Sequence, residues 1–311
     1  MKTVFMGTPE FAEVILRGLA EGGHEVLLVL TQPDRKNGRG KHVKYSPVKE
    51  TALELGIPVL QPENLRNDET VTETLKALGP DVLIVASYGQ ILPEEVLDIP
   101  KYGAVNVHAS LLPKLRGASP IQHAILEGLE ETGITIMKMD AGLDTGDMIS
   151  RCAVRIGDLN YTGLHDALAE AGRDLLLETL PTIENGTAKY EKQDGSQSSY
   201  APVIRKEDGH IDFTGHAGRE VLKIRAFDPW PGAFAYFGEG DEAMKFRAGK
   251  ALDDGRHERP GEVISVDNNT FTVACSEGSL LISEIQVPGK KRCAVGDYLR
   301  GHALEKGWVF R

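Results

Sequence analysis

The chain has 311 residues, about twice an ordinary domain, and is 41% hydrophobic and 26% charged, the mixture of a globular protein rather than a disordered one. Its 35 Lys and Arg stand against 46 Asp and Glu, a formal net charge of −11. That excludes a protein coated in basic charge for nucleic acid but leaves room for a local basic patch.

Cys152, Cys275 and Cys293 are dispersed, and neither CxxC nor HExxH occurs. The expectation is three reduced thiols, no metal and a cytoplasmic protein. Met1 to Phe5 lead into a strand-like segment without a secretion-signal pattern, and no stretch approaches the roughly 18 apolar residues of a membrane span.

Val4 to Met6 predict a buried strand ending at Gly7. Thr8 is read as the N-cap and Pro9 as the first residue of a helix carrying Phe11, Val14, Ile15 and Leu19, stopped by Gly22 and Gly23. Strands are expected at 26–30, 58–60, 81–86, 103–108 and 133–139, and helices at 48–55, 71–78, 121–129 and 164–180. Such alternation predicts a mostly parallel sheet with right-handed crossovers, whose ligands sit beyond the carboxyl ends of the strands.

From Glu184 to Ile204 the chain is polar and turn-rich, and reads as a linker. A helix with Val221, Leu222 and Ile224 follows, then short strands at 233–237, 243–248, 261–266, 270–274 and 279–285, the spacing of a small β-barrel. The expected division is 1–188, a linker 189–205, and 206–311.

Residues 206–311 hold 15 basic and 17 acidic residues, which leaves 20 and 29 in the first 205. The segment from Thr31 to Lys49 reverses that acidity, with Arg35, Lys36, Arg39, Lys41, Lys44 and Lys49 against Asp34 alone. Two uses are open for it: a solvated loop, or an arm that contacts phosphates. Lys290-Lys291-Arg292 is a second, weaker candidate. Phe227 and Trp230 are expected to pack between helix and barrel, with stacking on a nucleotide as the alternative.

The densest chemical signal is NVHASLLPKLRGASP from Asn106, followed by GITIMKMDAGLDTGD from Gly133. Asn106 and His108, two apart at a strand end, point to one side. An amide can donate to a developing oxyanion, an imidazole can act as general acid or base, and Asp144 could orient the imidazole. From the residues alone, Asn106 and His108 could also simply cap a turn, and Asp140 and Asp147 could be turn-formers. A dinucleotide site is disfavoured, because Pro9 and Phe11 break G-x-G-x-x-G after the first strand, and no Walker motif occurs.

These two segments resemble the signatures of the formyltransferase family that uses 10-formyltetrahydrofolate. GTPEFA, TQPDRKNGRG, SPVK and IRAFDPWPGAF, at residues 7, 31, 46 and 224, are similar to the branch that acts on charged tRNA. The resemblance implies a Rossmann-like domain followed by an OB-like barrel, and formyl transfer to the α-amino group of methionine on initiator tRNA. It implies Asn106, His108 and Asp144 as the catalytic trio. It places the folate at Ser87, Tyr88, Gly89, Gln90, Ile91, Leu92, Ser110, Leu111, Leu112, Pro113, Asp140 and Gly142. It assigns tRNA contacts to Arg35, Lys36, Arg39, Lys41, Lys44, Lys290 and Lys291, in a monomer that needs no metal. The alternatives are a formyltransferase for an amino sugar nucleotide, which would not need the basic insertion, a formyl-folate hydrolase, and an inactive RNA-binding protein.

Overall fold

The computed structural model describes residues 1–36, 43–238 and 242–311. It divides into two compact units, one of residues 1–120, 131–155 and 165–201, the other of 121–130, 156–164 and 202–311.

The first unit is built on a seven-stranded sheet. Its strands are β1 (Lys2–Gly7), β2 (Glu25–Leu30), β3 (Val59–Leu60), β4 (Val82–Ala86), β5 (Ala104–His108), β6 (Glu131–Lys138) and β7 (Met148–Arg155), in the order β7-β6-β5-β4-β1-β2-β3. β1 to β5 pair in parallel, while β6 runs antiparallel to β5 and β7 antiparallel to β6. Val82 to Ala86 are all buried, as the centre of a sheet covered on both faces requires.

β7 was not expected. Its residues 148–155 alternate poorly in hydrophobicity because it is an edge strand with one wet face. β1 and β4 lie side by side although the chain visits β2 and β3 between them. This is the switch point, and Gly7 and Ala86 are paired at its carboxyl edge.

The longer helices of this half of the chain are α1 (Glu10–Glu21), α2 (Pro47–Glu54), α3 (Glu69–Leu78), α4 (Pro120–Leu126) and α5 (Tyr161–Glu184). The cap of α1 differs from expectation. Pro9 occupies the N-cap position without a side-chain bond, and the Thr8 hydroxyl instead donates to the Tyr88 carbonyl at 3.2 Å. The short β4 and β1 bring these two residues to the same edge.

In the basic segment, Arg35–Lys36 pair antiparallel with Val43–Lys44. Arg39 and Lys41 lie outside the described residues. Lys49 is committed locally, to Asp34 at 2.5 Å and Gln61 at 2.7 Å. Burial disfavours the Asp34 carboxylate, but Lys49 and Gln61 outweigh it and hold the group below its ordinary range.

The second unit carries α6 (Ala217–Ala226) and an antiparallel sheet of β8 (Ala233–Tyr236), β9 (Ala243–Arg256), β10 (Val263–Val266), β11 (Phe271–Ala274), β12 (Glu277–Gln286) and β13 (Cys293–Ala294). The order is β8-β9-β12-β11-β10, with β13 on β12. The C-terminal residues close it into a barrel. Tyr236 and Arg311 exchange backbone bonds at 2.8 and 2.9 Å beside β8, while Val263 donates to Trp308 at 2.7 Å beside β10. The tail thus satisfies both open edges.

Phe310 enters the core from this seam. It stacks on Phe271 at 5.8 Å between centroids and meets Phe246 edge-on at 5.4 Å. Phe227 is buried, whereas Trp230 is 56% exposed and so does not pack between helix and barrel.

Candidate active site

β5 delivers both polar residues of its end to one face. Asn106 pairs with Met137 and His108 with Thr135 on β6. The chain then turns back tightly. Thr135 Oγ1 donates to the Ser110 carbonyl at 2.7 Å and accepts from the Leu112 amide at 3.1 Å, and Ser110 Oγ donates to the Lys114 carbonyl at 2.7 Å. This stitching holds Leu115 at φ +57° and sets its carbonyl oxygen 3.0 Å from His108 Nε2. On its other side His108 Nδ1 faces Asp144 Oδ2 at 3.7 Å. The ring is buried, with acceptor oxygens at both nitrogens, so its plane is fixed.

Asp144 is the hub. Its Oδ1 accepts from Asn106 Nδ2 at 3.4 Å, and its Oδ2 accepts from the Gly117 amide at 2.8 Å. One of the two Asn106 amide hydrogens is thereby used and the other remains to donate elsewhere. Gly117 must be glycine. Its φ is +110°, and a Cβ would lie 2.5 Å from the Tyr200 ring and 2.8 Å from the Ala201 carbonyl.

The loop of Asp144 is held from below. Asp140 Oδ1 accepts from the Gly142 amide at 3.0 Å and Thr145 Oγ1 at 2.7 Å, so Asp140 forms the turn. Gln193 Nε2 donates to the carbonyls of Asp144 and Gly146, each at 2.8 Å, and Arg116 holds Gln193 Oε1 at 2.7 Å. Ser199 Oγ accepts from the Leu115 amide at 2.9 Å. Gln193 and Ser199 lie in the segment read as a linker, and nothing in its aperiodic composition pointed to them. Tyr200–Ala201 also pair with Arg116–Gly117, so the segment is strapped along the trio.

Besides Leu115, only Ser87 (φ +46°) and Asp144 (φ +51°) among the described non-glycine residues adopt positive φ. All three lie in loops that follow strands of this sheet. A left-handed non-glycine residue costs about 1–3 kcal/mol and gathers where geometry is over-determined for function.

The residues expected around a folate divide by what their side chains do. The Tyr88 carbonyl accepts from Thr8 Oγ1 and from Gln32 Nε2 at 3.2 Å, while its ring is buried and its hydroxyl has no partner among the described residues. Burial pushes that phenol far above its ordinary range and keeps it neutral. Gln90 ties the Leu65 amide at 2.8 Å and the Pro62 carbonyl at 2.9 Å. Leu92, Ser110 and Leu112 are buried. Gly89 takes φ +84° and Pro113 follows the buried Leu112 in the turn. Ile91 is 81% exposed, and so is more than half of Leu143 beside Asp144, two apolar surfaces of the kind that cover a flat heteroaromatic ring.

Of the expected tRNA contacts, Lys44, Lys290 and Lys291 are exposed. Arg292, next to them, is tied to Asp228 at 2.8 Å and to Glu284.

The family model for formyl transferase matches residues 1–180, and that for the formyl transferase C-terminal domain matches 203–303. The chain is 46% identical over 312 residues to the methionyl-tRNA formyltransferase of Caldanaerobacter subterraneus subsp. tengcongensis, covering 100% of both chains. It is 47% identical to that of Citrifermentans bemidjiense, over 99% of this chain and 95% of the relative. In fold it is similar to HypX from Aquifex aeolicus in complex with tetrahydrofolic acid, with a TM-score of 0.62 at 17% identity, covering 100% of this chain and 51% of that one.

Proposed function

The chain belongs to the formyl transferase family, and from that membership we propose that it transfers the formyl group of 10-formyltetrahydrofolate to the α-amino group of methionyl-initiator tRNA. The observation that carries this reading is identity of 46–47% along nearly the whole chain, both units included, to relatives named for that reaction. HypX, whose fold is similar, holds tetrahydrofolate, in keeping with a folate-derived donor. The reading puts the enzyme in the cytoplasm as a monomer. It keeps 1–188 as the formyl-transferring part, 189–205 as a linker that also braces the site, and 206–311 as the tRNA-binding part.

The chemistry follows from the trio. Attack of a neutral amine on the formyl carbon moves the carbonyl electrons onto oxygen. The free hydrogen of Asn106 Nδ2 and a proton on His108 Nδ1, which at 3.7 Å is not hydrogen-bonded to Asp144, stabilise that charge, at about 3–4 kcal/mol per donor in comparable oxyanion holes. Asp144 holds both donors in place and receives, through a water, the proton that the amine must lose. Collapse then breaks the bond from the formyl carbon to the folate nitrogen as that proton passes from Asp144 to the departing nitrogen, which releases neutral tetrahydrofolate and restores the carboxylate. Ile91 and Leu143 cover the folate ring, with the turn from Ser110 to Pro113 beneath. Arg35, Lys36, Arg39, Lys41 and Lys44 meet the acceptor end, and Lys290 and Lys291 contact the RNA from the second unit.

The test is incubation with 10-formyltetrahydrofolate and either methionyl-initiator or methionyl-elongator tRNA. Formylmethionine on the initiator alone is expected. Formate release without a formylated product would replace the reading with a hydrolase. Formylation of an amino sugar nucleotide with no reaction of the tRNA would replace it with the sugar enzyme.

A further inference from the structure

Trp230 is out of place for a residue of its kind. Indoles are usually inside, yet this one is 56% exposed while Phe227, three residues earlier in the same motif, is buried. Its loop is held rather than loose. Arg247 Nη1 donates to the Pro229 carbonyl at 2.9 Å, and Lys245 Nζ donates to the Pro231 carbonyl at 2.6 Å. The two residues flanking the indole are therefore gripped by two cations on β9.

Gly232 makes this possible. A Cβ there would fall 3.2 Å from Lys245 Nζ and 3.1 Å from Arg247 Nη1, so both cationic heads crowd one point under the loop.

The charges there do not cancel. Arg247 and Arg292 share Asp228, at 3.1 and 2.8 Å, and Arg292 also has Glu284. Lys245 has no carboxylate partner among the described residues, and its ammonium is partly buried. Burial first, then the nearby charges of Arg247 and Lys206, hold it below its ordinary range. An acidic protein thus keeps a cation that lacks a carboxylate partner among the described residues under the loop that carries an exposed indole. An anion near Lys245 would relieve the repulsion, and a planar ring would cover the indole. A nucleotide supplies both.

We propose that Trp230 and Lys245 form a nucleotide platform on the second unit, on which one base of the substrate RNA stacks while its phosphate meets the ammonium. It rests on the tRNA reading above and adds a contact to Lys290 and Lys291.

The test uses the full chain. Without folate, initiator tRNA quenches the tryptophan fluorescence of the wild type saturably, and Trp230→Phe abolishes that quench although Trp308 remains. In formylation, Trp230→Ala raises the KM for charged tRNA about ten-fold, the scale of one lost base stack. The KM for the folate donor does not move, and Trp230→Phe recovers most of the loss. Lys245→Met lowers the slope of log KM against log salt by about one. A tRNA KM within two-fold of wild type in Trp230→Ala, or a quench that survives in Trp230→Phe, overturns the proposal. A quench lost in Trp230→Phe together with a wild type that forms no formylmethionine supports the platform and overturns the reaction instead.

Discussion

At the carboxyl edge of the seven-stranded sheet, order comes from polar contacts. The Asp144 carboxylate gathers Asn106, His108 and the Gly117 amide, Gln193 pins the loop from beneath, and three non-glycine residues in the loops of this sheet accept positive φ. In the barrel, order comes from burial, with Phe246, Phe271 and Phe310 interlocked where the tail closes the seam. The first arrangement contributes little net stability, since a hydrogen bond made on folding replaces one to water. The second supplies several kcal/mol per ring. Substitutions in the two regions should therefore fail in opposite ways, one in turnover and the other in folding.

The largest effect is expected from Asp144→Asn. An amide can accept at only one of the two positions where the carboxylate now accepts, so either Asn106 or the Gly117 amide faces an N–H. Turnover should fall about 10³- to 10⁴-fold, as when an orienting aspartate is neutralised elsewhere. Thermal unfolding should shift by only a few degrees; a collapse of the melting temperature would erase the contrast between the regions.

Phe310→Ala should do the reverse, costing about 3–5 kcal/mol in denaturant unfolding of the barrel. Formyl transfer by the folded fraction should stay within two-fold of wild type. Gln193→Ala sharpens the contrast. It leaves the Asp144 and Gly146 carbonyls and Arg116 without their partner, and a loop displaced by tenths of an ångström should lower turnover about ten-fold with little change in stability.

The smallest effect concerns Cys275, buried in the barrel. Burial, then Glu220, Asp212 and Asp254, push its thiol from an ordinary value of 9.0 up to about 12. The unfolded chain loses that proton first, so the thiol's contribution to stability is complete below pH 9.0 and is lost as pH rises towards 12. At pH 10 native Cys275 should resist iodoacetamide, and Cys275→Ala should flatten the alkaline decline in melting temperature. Rapid alkylation of the native protein would show that the core is looser than its packing implies.

Much of this was legible in the sequence, for local reasons. Asn106 and His108 share a face because the strand period is two, and the buried runs at 4–6 and 82–86 announce the parallel sheet. What escaped depends on distant partners. Gln193 reaches a carbonyl 49 residues away, and Ser199 an amide 84 residues away. The tail at 308–311 has no period of its own, yet it closes the barrel. Trp230 and Phe227 belong to one motif, and only tertiary packing sends one inside and leaves the other on the surface.

The most direct measurement is single-turnover formyl transfer by Asn106→Ala and His108→Ala, at saturating 10-formyltetrahydrofolate and methionyl-initiator tRNA. Loss of one oxyanion donor each predicts a fall of about 10²- to 10³-fold in both variants, with folding intact. Near-normal rates in both would contradict the assignment of the trio.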